Sequence, residues 1–591
     1  MMANNNLDAH NFHEIFLKTE QDHEDIDNFY EEVSDDEEDN VTEISDDENR
    51  TESEEEVIED FAGELENGSR NKKMRLSNSC DRSVSKLKGK NGYVWSTTKS
   101  EHHSVNLLEY IPGPMNAAAN LELIHEFWNI LFNDEMINII VVCTNYKIDD
   151  FCWHLKSEEK ETQSYHKFTD VDEIKAYIAI LYYSGLWKSH RVDVKRLWGR
   201  ENGISFYKCV MPQKRFEFLS TCLRFDVKCN RNADDKFSPI RKFWDIFIEN
   251  CKKYYNPSNT CTVNEIIYGF RGRCQFRVFK KTKPNKYGLL IKTLNDAETA
   301  YMLNAIPYLG KNSGIDNDES VSEFYFREVT TPIHGTNRTV TCNNWFTSVP
   351  LVEKMLEDPY NLTITGAIKK KQREIPNEMQ IASKEISNSK FCFNDKITLL
   401  SYTPKKNKII LLTSSFISTE ITDGKPNMIH HYNKTKGATD TFHKLCNSFT
   451  TSRITNRWSM RLFFGILDQA IVNARILLSC KLLNNGNQTK LTAQQYMQGV
   501  IDYLVKPFLM ERYTKMTLRK DIHYALAGIL NIDVKEELQN DSKLIIMDRY
   551  KRCAMCPVKK DRKTRSCCPS CKRPICNDHR TGYCADCVCF N

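Results

Sequence analysis

Nowhere in its 591 residues does the chain carry a run of 18 apolar residues, so no membrane-spanning helix is expected. Its opening, MMANNNLDAHNFHE, has neither a basic flank nor an apolar core, so it does not read as a secretory leader. Basic side chains are almost missing from residues 1–60, which hold 2 of them against 24 acidic ones. Paired cysteine spacing is missing from most of the chain: 13 of the 22 cysteines are scattered, and nine lie in the last 39 residues. That excludes a small disulfide-stapled scaffold. It points instead to reduced thiols in an intracellular protein with one local metal-binding module. With 40% hydrophobic and 27% charged residues, most of the chain can bury a core. Its length suggests about four domains.

The near-neutral total of +3 conceals a division: residues 1–60 have a net charge of −22, and residues 61–591 one of +25. A basic body of that size attracts a polyanion, and nucleic acid is the commonest one. Residues 1–66 form an acidic tail. Its runs EEVSDDEED (31–39) and ESEEEVIED (52–60) repel themselves and offer little to bury, so a disordered solubilising tail is expected. A tail of this charge could also act as a DNA mimic competing for the basic body. Residues 67–111 turn basic and polar, with Lys72, Lys73, Arg75, Lys86, Lys88 and Lys90, and read as an extended linker that touches a partner.

From residue 112 the pattern is globular. Residues 116–148, 171–186, 211–225 and 238–258 carry apolar side chains at helical spacing, with Pro212 opening one helix and Asn256 and Pro257 closing another. Residues 112–260 therefore read as a helical domain. At 261 the texture changes to strand formers, and a mixed α/β core is expected over 261–450. Within it, 363–430 reads as a β-rich insertion, with a hairpin in NDKITLLSYTPKKNKIILLTSSF (394–416). Helices resume over 451–534 as the second part of the helical domain, and 535–550 is a charged linker. The fold class is multidomain α/β.

The order of elements in the core suggests a polynucleotidyl transferase of the ribonuclease H type. Such a site holds two divalent ions on carboxylates from a first strand, from the end of a later strand and from a following helix. The motifs VNEIIYGFRGRCQF (263–276), NKYGLLIKT (285–293), YMLNAIPYLG (301–310), TCNNWFTSVPL (341–351), IHHYNKTKGATD (429–440) and TSRITNRW (451–458) stand in one order on this scaffold. On these motifs the chain resembles the piggyBac family of transposases over nearly its whole length. The resemblance implies a ribonuclease H-like core with an insertion, and a split helical DNA-binding and dimerisation domain. It implies cut-and-paste chemistry at TTAA targets on DNA with transposon terminal repeats, a homodimer and a nuclear protein, with no membrane involved.

Carried over by motif, the catalytic aspartates fall at Asn264, Asn343 and Asp440. A further acidic position three residues on is His443. A carboxamide is neutral and ligates a hard cation more weakly than a carboxylate. Cleavage and joining are therefore expected to be lost, with magnesium or manganese at the core only if the site is restored. A host-retained descendant, a decayed element copy and an engineered inactive form are all compatible with the two asparagines. Glu265 adjoins Asn264 but points to the opposite face of its strand; Asp296 reads as a turn residue. Two rivals stand beside the inactive-transposase reading: an active transposase with a rewired site, and a chromatin or regulatory factor using the terminal module.

Arg271, Arg273, Lys280, Lys281, Lys283 and Lys286 fall within sixteen residues, a density suited to contacting a DNA backbone. Arg453 and Arg457 would share a face if their stretch is helical. Residues 551–591 hold 10 basic and 3 acidic side chains and four ligand pairs: CAMC (553–556), CCPSC (567–571), CNDH (576–579) and CADC (584–587). Eight thiolate and imidazole donors imply two structural zinc ions. A cross-braced finger fits best, with Cys553, Cys556, Cys576 and His579 on one ion and Cys568, Cys571, Cys584 and Cys587 on the other. Cys567 and Cys589 are spare and could take the place of Cys568 or Cys587. KRCAMCPVKKDRKTR (551–565) reads as a nuclear entry signal.

Overall fold

The computed structural model describes residues 42–43, 86–99, 109–199, 203–281, 285–310, 319–415, 419–487, 491–515, 518–532, 545–568, 571–579 and 584. Apart from 42–43, the expected acidic tail lies outside these residues.

Strands of four residues or more are labelled in chain order. β1 (Thr260–Gly269), β2 (Tyr287–Asp296) and β3 (Met302–Pro307) form an antiparallel meander. β4 (Thr339–Cys342) pairs in parallel with β1, and β5 (Thr363–Ala367) in parallel with β4. The order β3-β2-β1-β4-β5 is that of a ribonuclease H-like sheet. The expected insertion at 363–430 therefore opens on a core strand. Beyond that strand, β6 (Asn388–Phe393), β7 (Thr398–Lys405) and β8 (Lys408–Ser414) extend the same sheet as antiparallel neighbours, with β8 against β5. The hairpin read in 394–416 is β7–β8, turning at Asn407 with φ 64°.

Helices of seven residues or more are labelled likewise. α1 (Ile124–Leu131), α2 (Asp134–Ser157), α3 (Val171–Leu186), α4 (Gln213–Cys222) and α5 (Arg241–Lys253) precede the sheet. Local chemistry sets their starts. The Asn133 side chain accepts from the Met136 amide, Asp170 does the same for Glu173, and Pro212 caps α4. α6 (Val321–Thr330) and α7 (Val349–Met355) connect core strands, and α8 (Asn427–Thr435) and α9 (Ala438–Ser448) return across the sheet. α10 (Trp458–Asn484), α11 (Ala493–Tyr513) and α12 (Lys520–Leu530) follow.

α10 is long and apolar enough to cross a membrane, but 94% of its most apolar stretch is buried inside the protein. It is the axle that joins the two separated helical segments to the sheet. The Tyr182 hydroxyl on α3 donates to the Leu467 carbonyl at 2.9 Å and accepts from the Trp128 indole on α1 at 2.8 Å. Asn473 grips both backbone groups of Met302 on β3, and the Arg461 guanidinium donates to the Gly269 carbonyl at the end of β1. α11 closes over α1, where Tyr503 stacks on His125 at 3.9 Å. The helical segments on either side of the core thus fold into one body.

The described parts of two stretches read as linkers hold strands. Lys86–Lys88 and Val94–Ser96 form a hairpin whose Ser96 pairs with Phe393 on β6. Residues 545–550 belong to β9 (Ile545–Arg552), which pairs with β10 (Lys563–Cys567) in the terminal module. In both cases the partner segment, invisible to local composition, decides.

Candidate active site and terminal metal centre

Three threonines dock the α8–α9 turn on the sheet, and each candidate catalytic residue follows one of them. Thr262 on β1 donates to the Thr435 carbonyl at 2.7 Å, and Thr341 on β4 shares a hydroxyl hydrogen bond with Thr435 at 2.7 Å. Thr439 donates to the Asn295 side chain at 2.9 Å and meets Thr293 at 3.5 Å. Asn264 lies two residues past Thr262 on the same face and pairs across the sheet with Thr293. Asn343 lies two past Thr341, one residue beyond the end of β4, whose last pair is Cys342 with Val263, and Asp440 follows Thr439 at the start of α9. The fold thus converges the three motif positions on one end of the sheet. Sequence reasoning did not single out the threonines that hold them; the alternation T-V-N in β1 and T-C-N in β4 is the readable signal.

The two asparagines are hydrogen-bonded to each other. Asn343 Nδ2 donates to Asn264 Oδ1 at 3.0 Å. The orientation is set by the chain itself, because Asn343 Oδ1 accepts from the Trp345 amide at 3.0 Å and leaves only its nitrogen facing Asn264. A pair of carboxylates in these places would repel unless a cation lay between them. Here an amide N–H takes the bridging position, and an N–H cannot ligate a cation. Asp440 is an exposed carboxylate. His443, one turn on, packs edge-on to Tyr268. Among the described residues, the groups of three or more Cys, His, Asp or Glu donors close enough to share an ion are confined to the terminal module. The residues at the core do not fit a pair of divalent ions.

Neighbouring acids are committed elsewhere. Glu265 is 4% exposed and faces away from Asn264, where it is gripped by the ammonium groups of Lys280 and Lys292, the latter at 2.6 Å. Burial alone would push Glu265 up, but the two lysines outweigh it and hold the carboxyl well below the usual carboxylate range. Lys292 also lies 3.3 Å from the centre of the Trp345 ring, a close cation–π contact. Asp296 is fully buried and accepts from the amides of Ser258, Glu298 and Thr299 and from the Ser258 and Tyr255 hydroxyls. It is the structural turn residue that the sequence suggests.

The expected DNA-contacting residues divide. Arg271, Arg273, Lys281 and Lys286 are exposed. Lys280 is a correction: it is 7% exposed and its charge is committed to Glu265. Lys283 lies outside the described residues. Residues 451–457 are not helical, so Arg453 and Arg457 do not share a helix face. Both are half-buried. Arg453 donates to the Val192 carbonyl and Arg457 to the Leu223 carbonyl, pinning this strap to the first helical segment.

The terminal module brings Cys553, Cys556, Cys576 and His579 together, with Cys576 Sγ 3.3 Å and Cys556 Sγ 3.5 Å from His579 Nδ1. Cys568, Cys571 and Cys584 form a second cluster, with 3.5 Å between the sulfurs of Cys571 and Cys584. The clusters interleave along the chain, so the arrangement is cross-braced. Three or four soft donors converging at this range fit zinc, which would tie the segments together in place of a hydrophobic core. Cys587 and Cys589 lie outside the described residues. Cys567, on β10, pairs with Ile545 and stands outside the cluster.

A family model described as transposase IS4 matches residues 125–475. The human PiggyBac transposable element-derived protein 3 is 22% identical over 354 residues, covering 56% of this chain and 57% of that protein. The human Chimeric ERCC6-PGBD3 protein matches at the same identity over 32% of its length. The chain thus spans about half the length of the first relative and a third of the second. A cryo-EM structure of a piggyBac transposase synaptic complex with hairpin DNA superposes with a TM-score of 0.71 at 35% identity, covering 80% of this chain and 99% of that one.

Proposed function

Because the chain belongs to the piggyBac family of transposases, we propose that it is a nuclear, homodimeric protein that binds double-stranded DNA without cutting it. Its targets on this reading are transposon terminal repeats and TTAA-containing sites. The hydrogen bond from Asn343 to Asn264 carries the reading. With two neutral carboxamides closed on each other, the three motif positions offer one carboxylate, Asp440, where phosphoryl transfer on two metal ions needs several. Glu265 and Asp296 cannot replace the missing charges, since each already satisfies buried partners. The exposed Arg271, Arg273, Lys281 and Lys286 support a retained backbone interface. The hairpin DNA in the solved relative supports duplex ends as the ligand class.

The test pairs binding with nicking. Full-length chain is incubated with hairpin-ended and open terminal-repeat duplexes, with magnesium, with manganese or with no added divalent ion, at matched ionic strength. Binding that is the same under all three conditions, with no strand cut, is expected. The N264D/N343D variant is expected to bind manganese at the core and to nick the donor end. Efficient nicking by the unaltered chain would end the inactive reading. Absence of any DNA binding would end the proposal altogether.

A further inference from the structure

We propose that the N-terminal hairpin Lys86–Ser96 is a clamp for a DNA backbone, deepening the DNA-binding reading on which it rests. Its register sets Lys86 opposite Ser96, Leu87 opposite Trp95 and Lys88 opposite Val94. Alternation then gives it two faces. Leu87 and Trp95 turn inward; Trp95 is fully buried and its indole donates to the Glu374 carbonyl at 2.8 Å. Lys86 and Lys88 turn outward and are exposed, as is Lys90 at the tip.

A lone two-stranded hairpin is marginal in water, so this one is held by its docking. The Asn91 amide donates to the Arg373 carbonyl at 3.2 Å, and the Asn91 side chain donates to Glu374 at 2.8 Å. The backbone approach is close: a Cβ at Gly89 would lie 2.6 Å from the Glu374 carbonyl oxygen, so only glycine fits. The turn it grips is itself basic, with Lys369, Lys371 and Arg373 exposed. That turn is tied to the candidate active site. Gln372 donates to the Thr347 carbonyl at 2.7 Å, and Thr347 donates to the Asn343 carbonyl at 2.8 Å.

The docking thus brings two short basic segments some 280 residues apart, with six exposed cations between them, next to each other and to the Asn343 end of the sheet. Three carboxylates stand close by: Glu374, which accepts from Asn91, Glu353, which accepts from the Tyr93 hydroxyl at 2.5 Å, and exposed Asp395; the six cations outnumber them two to one. Lysines on an anchored element offer point charges without base recognition, which suits phosphates of a duplex lying across that end.

The experiment measures affinity of the full chain for a hairpin-ended duplex over a range of sodium chloride. K86A/K88A/K90A is expected to lower the slope of log K against log salt by about 2 to 3, since each phosphate contact contributes about 0.9. K86R/K88R/K90R is expected to keep the slope. Equal slopes for the unaltered chain and the alanine variant would overturn the clamp while leaving DNA binding in place. So would a loss in the arginine variant as large as that in alanine. No binding by the unaltered chain would instead remove the functional reading beneath it.

Discussion

The most consequential single side chains are those whose charge is hidden. Glu265 shows this most clearly, because two buried ammonium groups depend on it. Replacing it with glutamine leaves Lys280 and Lys292 without a counter-charge, and E265Q is expected to cost about 3–5 kcal/mol. The pH dependence follows from its depressed titration. A carboxyl held below its unfolded value contributes stability that is complete above the ordinary carboxylate range and is lost only as pH falls through the folded value. Guanidinium midpoints should therefore separate wild type from E265Q by the same margin at pH 7 and at pH 5. A gap that closes by pH 5 would refute the ion triad. This arrangement was partly legible: Glu265 interrupts an apolar strand and so does Lys292, and opposed charges in adjacent buried strands predict each other. What the pattern did not reveal was that Lys280, one of a run of basic residues, is drawn in to complete the triad.

Between elements, the joint of α9, the strap at 449–457 and α10 turns on Asp468. It is buried on α10 and accepts from the Thr450 hydroxyl at 2.6 Å and from the Thr451 amide and hydroxyl, both at 2.8 Å. Burial pushes its carboxyl up to about 6 in spite of those contacts. A raised acid holds its proton more tightly in the native state. Its contribution is full below about pH 4 and is lost as pH rises through about 6. D468N, whose carboxamide keeps the acceptor for Thr451, should match wild type near pH 4. By pH 8 it should exceed wild type by up to about 3 kcal/mol in urea unfolding. A variant no more stable than wild type at pH 8 would contradict this. Elements differ in how far the sequence revealed them. The meander of β1 to β3 follows from its strand-forming residues and the helices around Pro212 from periodicity. The 451–457 strap does not: its arginines would share a face only in a helix, and their carbonyl partners at Val192 and Leu223 draw it out as an irregular segment. The 86–96 hairpin was hidden for the same reason, its buried tryptophan having its partner 279 residues away at Glu374.

At the scale of the whole molecule, the terminal module and the main body use different means of stabilisation, so they should respond separately to metal. Denatured full-length chain is expected to release two zinc ions per chain to a chromophoric chelator, and C568S/C571S only one, with the main thermal transition unmoved. Unchanged zinc content in that variant would defeat the ligand assignment. The paired cysteine spacing made this module readable almost residue by residue, because metal geometry limits which donors can meet. The main body offers no such shorthand, and its unity rests on α10. That dependence has a consequence during synthesis. Tyr182 is complete 285 residues before its acceptor at Leu467 leaves the ribosome. At about 5–20 residues per second the delay is on the order of 15–60 s. Throughout that interval the first helical segment has greasy flanks and no axle to cover them, so a transcript cut short before residue 458 should yield a product that chaperones retain or proteases clear.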